Sequence, residues 1–156
     1  MAFTPRLAAF QGTVTIPAGA SQAFPLFSPE GERAWVPGWN PEILAPRDGA
    51  WGEGQIFRTM EESGEATWVV SAMDKKRRRV VYFRVEPARY VAKVEVEVKS
   101  RSGGGSEARV VYTFVGLTEK GNADIEAMRA TDYEAKMARW SGWIADSLEG
   151  RTGRSR

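Results

Sequence analysis

Few side chains in this sequence are equipped for chemistry, and most of those carry hydroxyls. Histidine and cysteine are both absent. That removes the commonest general base, the commonest metal ligand and any thiolate nucleophile together, so neither metal nor cofactor is expected. What remains is the phenols of Tyr112 and Tyr133, the hydroxyl of Thr59, and a few carboxylates near turns. Glu42, which follows a proline turn beside Trp39, is the best placed of these acids, with Glu53 and Asp132 as other rim candidates. A solvated surface carboxylate is the plainer role for each, and no catalytic residue is assigned. Broad aromatic rings interspersed with a few hydroxyls suit a mostly apolar molecule with one polar end. The one dense charge run, Lys75-Lys-Arg-Arg-Arg79, reads as an exposed hairpin turn. Its functional alternative is contact with anionic lipid or phosphate, at ~1 kcal/mol per basic residue near a charged membrane. Gly103-Gly-Gly105 is no phosphate loop, since neither a strand-to-helix step nor Lys-Ser/Thr follows it.

The bulk of the chain bounds the rest. Its 156 residues are enough for one domain with a real core, set at residues 1–150, with 151–156 as a frayed basic tail. Twenty-two basic against twenty acidic residues give a net charge of +2, too balanced for a nucleic-acid binder. No stretch approaches the ~20 apolar residues of a membrane span, so integral membrane association is not expected. A cytoplasmic protein is the default.

The elements that must position these side chains are led by the last helix, expected over residues 131–148. Thr131 and Glu134 have capping-box spacing. Tyr133, Met137, Trp140, Ile144 and Leu148 recur at helical intervals on one face, with Trp143 at its margin. Asp132 and Lys136 form an i,i+4 pair on the other side, and Gly150 is placed to end the helix. Upstream, Phe10, Val14 and Ile16 alternate with polar residues as a strand. Ser21 can cap a short helix over 22–27, and Ser28 a second one that opens on Pro29. A short strand is expected at 43–46. Five more, at 55–61, 66–73, 79–86, 89–100 and 106–117, are joined by hairpin turns. A short helical turn is expected from about Asn122.

Parity then assigns faces. Tyr90, Ala92, Val94, Val96 and Val98 form a buried face, opposite Lys93, Glu95, Glu97 and Lys99. A two-residue turn at Pro87-Ala88 carries that face onto Val81, Phe83 and Val85, leaving Arg84 outside with Lys93. A two-residue turn at Ser63-Gly64 puts Trp68, Val70 and Ala72 on one face with Phe57 and Thr59. Ala108, Val110, Tyr112 and Phe114 face inward from the last strand. On this register the inner face carries no ionisable acid or base.

With this organisation the chain resembles the START-like, helix-grip superfamily, or SRPBCC domains, of the polyketide-cyclase and pollen-allergen type. Leu26-Phe-Ser-Pro-Glu-Gly-Glu-Arg-Ala-Trp-Val-Pro-Gly-Trp39 is similar to the phrase that bacterial members carry after the first strand. Gly54-Gln-Ile-Phe57, Trp68-Val-Val70 and Tyr82-Phe-Arg-Val-Glu-Pro87 are further points of likeness, to a subgroup mostly of unassigned activity. The resemblance implies an α+β helix-grip fold. That is a curved antiparallel sheet of about six to seven strands, two short helices and a long C-terminal helix. It also implies a cavity between helix and sheet, where superfamily members hold lipids, sterols, polyketides or other apolar molecules.

The candidate ligand-binding residues are Trp35, Trp39, Phe57, Trp68, Phe83, Tyr112, Phe114, Tyr133, Met137 and Trp140. Core packing is the plainer role of any one of them; as a set they line a concavity. The Trp35–Trp39 segment reads equally as the lip of that cavity or as a plug closing it. The leading expectation is a binder or carrier of a small hydrophobic molecule such as a lipid, polyketide or aromatic metabolite. The alternative is a cyclase- or dehydratase-like enzyme on a polyketide-type substrate, with Tyr112 or Tyr133 hydroxyls assisting and Glu42 as the candidate acid. A third reading is a protein-interaction module of the chaperone-regulator type acting through the Trp35–Trp39 edge. Oligomeric state is left open.

Overall fold

The computed structural model describes residues 2–154. The chain begins with strand β1 (Leu7–Ile16), then a short helix α1 (Ala20–Ala23) that tightens into a 3-10 turn over Phe24–Phe27, then α2 (Pro29–Glu32). Strands β2 (Glu42–Ala45), β3 (Ile56–Glu61), β4 (Gly64–Asp74), β5 (Arg79–Glu86), β6 (Tyr90–Ser100) and β7 (Ser106–Gly116) follow. Two helices close the fold, α3 (Glu119–Ala127) and the long α4 (Ala130–Arg154). All seven strands form one curved antiparallel sheet in the order β1-β7-β6-β5-β4-β3-β2. The hairpins β2 to β7 run in sequence, and β1 returns along the free edge of β7.

Local chemistry accounts for most boundaries. The Ser28 hydroxyl accepts from the Gly31 amide at 2.8 Å, and Pro29 occupies the first helical position, as its fixed φ favours. Thr118 caps α3 in the same way through Gly121. Two expected caps are displaced. The N-cap of α1 is Gly19 rather than Ser21. Helix α4 starts one residue early, at Ala130, so Thr131 lies inside the first turn. There the Asp132 and Tyr133 amides donate to the Arg129 carbonyl. Nor does Gly150 end α4, which continues to Arg154. Glycine weakens a helix interior by about 1 kcal/mol but leaves its hydrogen bonds intact. The last two residues of the expected tail lie outside the described residues.

The faces of β6 and β7 fall as their alternation requires, with Ala92, Val94, Val96, Val110 and Tyr112 buried. Strand β5 does not. Glu86 pairs with Tyr90, so the connecting loop is three residues, Pro87, Ala88 and Arg89, rather than two. That single residue reverses the strand. Val80, Tyr82, Arg84 and Glu86 join the inner face, while Val81, Phe83 and Val85 point outward beside Glu95, Lys93 and Val91. Phe83, expected in the cavity wall, is half-buried on the outer face. In β4 a bulge between Val70 and Ala72 turns Ala72 outward as well, whereas Phe57, Thr59, Trp68 and Val70 share the inner face as expected.

Helix α4 packs chiefly on β1 at one edge of the sheet. A Cβ added to Gly12 would lie 2.8 Å from Met137 Cγ and 3.2 Å from Tyr133 Cε1, so only glycine lets helix and strand approach this closely. The Thr15 amide donates to Ser141 Oγ at 3.1 Å, fixing the helix along the strand. Among the described residues no helix is long and apolar enough to cross a membrane. Gly12→Val should force this contact apart and destabilise the protein by about 1–3 kcal/mol, read as a lower urea midpoint with an unchanged slope.

Candidate functional site

Because α4 is anchored at the β1 edge, the middle of the sheet is left with space above it. A cavity of ≈ 200 Å³ lies there, between β3–β7 and the helix. Seven aromatic rings wall it: Phe27, Trp39, Phe57, Trp68, Tyr82, Tyr112 and Trp140. Phe57 and Trp68, opposite each other on β3 and β4, stack at 5.4 Å, and Trp39 meets both edge-on. The polar edges of these rings are tied down. Trp39 Nε1 donates to the Pro29 carbonyl at 2.8 Å, and Trp68 Nε1 to Thr59 Oγ1 at 3.0 Å. Tyr82 donates to the Phe27 carbonyl at 2.7 Å and accepts from Trp51 Nε1 at 2.9 Å. Three of the seven rings are thereby held in place by hydrogen bonds.

Four ionisable side chains also face this space: Glu32, Glu61, Arg84 and Lys136. This corrects the expectation of an uncharged interior. Arg84 enters because of the three-residue loop. Its guanidinium lies 5.5 Å from the Trp68 ring centre and 5.6 Å from that of Tyr90, and Nη2 donates to the Tyr90 hydroxyl at 3.1 Å. Glu86 stands 3.6 Å away, and Arg84 Nε is buried with no hydrogen-bond partner among the described residues. Lys136, expected on the outer side of α4 with Asp132, instead turns inward. Its ammonium sits 4.1 Å from the centre of the Tyr112 ring and 5.2 Å from that of Trp140.

Burial acts on these groups in opposite senses. Desolvation raises the Glu32 carboxyl well above its ordinary range, against the weaker pull of Lys136. The same desolvation, helped by the charges of Arg84 and Arg139 and opposed by Glu32 and Glu61, lowers Lys136 to about 8. The phenols of Tyr82, Tyr112 and Tyr133 are all pushed up by burial. They can donate a hydrogen bond but cannot serve as bases near neutrality. The Glu61 carboxylate accepts from Thr59 Oγ1 at 2.9 Å, extending the chain from Trp68.

A second cavity of ≈ 280 Å³ adjoins the first, and Arg84 and Lys136 line both. Phe10, Phe114 and Tyr133 supply its apolar wall, with Asp132, Arg129 and Arg139 around it. The ten expected residues therefore divide. Trp39, Phe57, Trp68, Tyr112 and Trp140 border the inner cavity, and Phe114 and Tyr133 the outer. Trp35 is buried behind the wall, edge-on to Trp140 at 5.5 Å, and donates to the Leu26 carbonyl. Met137 fills the helix–β1 contact, and Phe83 is outside. Of the rim acids, Glu42 is an exposed partner of Arg58 at 2.9 Å, Glu53 accepts from the Met73 amide, and Asp132 alone borders either of these two cavities. Within the basic turn, Arg77 pairs with Asp74, Arg78 with the Ser21 hydroxyl and Arg79 with Glu95.

No protein-family model matches this sequence, and no curated protein matches it either. Solved structures do. A norcoclaurine synthase from Thalictrum flavum, a point mutant in complex with a transition-state analogue, superposes with a TM-score of 0.69 at 15% identity. That match covers 96% of this chain and 99% of the other. The Zhui aromatase/cyclase from a Streptomyces species matches with a TM-score of 0.62 at 18% identity, covering 88% and 93%. Ara h 8.0201 matches at 0.57 and 15%, covering 89% and 98%. The chain shares the helix-grip fold of these structures.

The lysine gives a measurable signature. Lys136 titrates at about 8 when folded against 10.5 ordinarily, so between those values the unfolded chain binds more protons. Stability should therefore rise with pH across that window, the full penalty of the buried ammonium being felt below it. Lys136→Met should raise the urea midpoint at about pH 7 and flatten the rise between about pH 8 and pH 10. A midpoint lowered by the substitution, with the slope against pH kept, would contradict this environment for Lys136.

Proposed function

We propose that the chain binds a small, largely aromatic molecule in the inner cavity, as a carrier or binding protein. The observation that carries this reading is an unfilled space of ≈ 200 Å³ walled by seven rings, of which Trp39, Trp68 and Tyr82 already have their polar edges hydrogen-bonded. A site built this way gains from excluding water around an apolar, planar guest and loses little by ordering itself. Neighbours of the same fold support it: the Thalictrum flavum synthase occurs in complex with dopamine and hydroxybenzaldehyde, and another neighbour is an aromatase/cyclase. Lipid-sized guests fit this volume less well than one or two fused rings.

A second reading, turnover of such a molecule by a cyclase- or dehydratase-like reaction, is favoured by one observation. Glu32, its carboxyl raised by burial, and Lys136, lowered to about 8, face the same cavity, and a carboxyl and an amine both moved toward neutrality suit acid and base roles. The interaction-module reading has less to stand on. Both indoles of the Trp35–Trp39 segment donate inward to backbone carbonyls instead of being displayed.

Mass spectrometry of the protein isolated under native conditions tests the choice. One small aromatic molecule per chain is expected on the wild type and none on Val94→Phe, whose added ring would occupy the floor of the cavity. A wild type that is empty and whose tryptophan fluorescence no aromatic compound alters would refute binding. Conversion of the recovered molecule, lost in Glu32→Gln while binding persists, would place turnover first.

A further inference from the structure

We propose that the ligand is an anion: an aromatic carboxylate whose rings fill the inner cavity and whose charged end lies between Lys136 and Arg84, at the junction with the outer cavity. This rests on the reading that the inner cavity holds a small aromatic molecule, and it names the class of that molecule.

Three observations carry it. First, the two cations are the residues that the two cavities share, so both side chains stand where one compartment gives way to the next. Second, neither is fully answered by the protein. Lys136 has no carboxylate within ion-pair distance among the described residues and is held only by the faces of Tyr112 and Trp140. Arg84 shares Glu86 with Arg89, and its Nε is left buried without an acceptor. An uncompensated charge in such a place is costly, and a guanidinium edge is shaped to receive a planar oxyanion. Third, the outer cavity adds Arg129 and Arg139 against the single acid Asp132, giving a cationic approach that favours an anionic guest. The acids nearest the junction offset this only in part. Burial raises the Glu32 carboxyl well above its ordinary range, and the Glu61 carboxylate accepts from the Thr59 hydroxyl and forms no ion pair with either cation among the described residues.

A neutral aromatic guest would leave both cations unanswered. A cationic amine would be repelled by them. A carboxylate answers both at once, while the Tyr112 phenol, held protonated by burial, is a further donor in the same wall.

The test compares two probes of one shape, 2-naphthoate and 2-naphthamide, by quenching of tryptophan fluorescence in the full chain. At about pH 7 the carboxylate should bind about tenfold more tightly than the amide. Lys136→Met should bring the two affinities within about twofold, and Lys136→Arg should keep the preference. Binding of the carboxylate should also take up protons near pH 8, because it holds Lys136 charged. The groups facing that ammonium are Glu32 from α2, Glu61 from β3, Arg84 from β5, Tyr112 from β7 and Arg139 on its own helix. Proton uptake measured in buffers of different ionisation enthalpy should vanish in Lys136→Met. Equal affinity for the two probes, or a preference that survives Lys136→Met, would overturn the anion site and leave the cavity reading standing. Failure of both probes to quench would overturn the cavity reading and this one with it.

Discussion

Helix α4 comes down on β1, where Gly12 presents no side chain and Met137 and Tyr133 fill the gap it leaves. This contact at one edge of a curved sheet is what the remaining geometry depends on. A helix laid across the centre would press its bulky stripe onto β5 and β6 and leave nothing unfilled. Held at the edge, it reaches the neighbouring strand only through side chains. Tyr133 donates to the Val110 carbonyl, and Trp140 meets Tyr112 edge-on at 6.4 Å. The space over the middle strands must then be walled rather than filled, and aromatic residues do this with few atoms left to order. The short helices have the same office from the other end. Ser28 and Pro29 set α2 so that Glu32 faces in and Trp35 backs onto Trp140.

A wall of rings also explains why charges are tolerated here at all. Lys136 and Arg84 both lie against aromatic faces, which offer a cation partial recompense for lost water without neutralising it. The residual penalty is visible in the lowered titration of Lys136 and the raised one of Glu32. By contrast, Glu86 is buried nearly completely yet well supplied, with Ser63, Arg84 and Arg89 around it and Arg89 tied in turn to Asp124 of α3. Among the described residues Glu86 thus centres a well-supplied charge cluster, whereas Lys136 and the Nε edge of Arg84, which borders both groups, are left unsatisfied. The satisfied cluster fastens α3 to the β5–β6 loop; the unsatisfied groups face empty space.

The fold was largely legible in the sequence, because alternation in β6 and β7, the caps at Ser28 and the stripe of α4 are local signals that tertiary packing reinforces. The site was legible only in its aromatic half. Strand β5 is apolar on both faces apart from Arg79, Arg84 and Glu86, so its orientation hung on the length of the Pro87 loop, and one extra residue exchanged Phe83 for Tyr82 and Arg84. Lys136 had a usable signal. It lies three residues after Tyr133 and four before Trp140, on the apolar stripe itself, and a lysine there is better placed to face inward than to pair with Asp132. Glu32 carried none, since a four-residue helix has no periodicity from which to read a face.

These corrections change the kind of guest the fold favours. An uncharged interior selects by shape and apolar area alone, and many molecules satisfy it equally. On the proposed reading, two cations at one end of a ring-walled space impose direction, because a guest would present its polar end to the junction and its rings to Phe57 and Trp68. Direction is also what chemistry needs, since a held molecule can be acted on only if the same atom always meets the same group. Binding and turnover here are consequently not opposed designs. On the proposed reading the Glu32–Lys136 cavity would orient its guest first, and any reaction would be built on that orientation, with Tyr112 confined by burial to the role of donor.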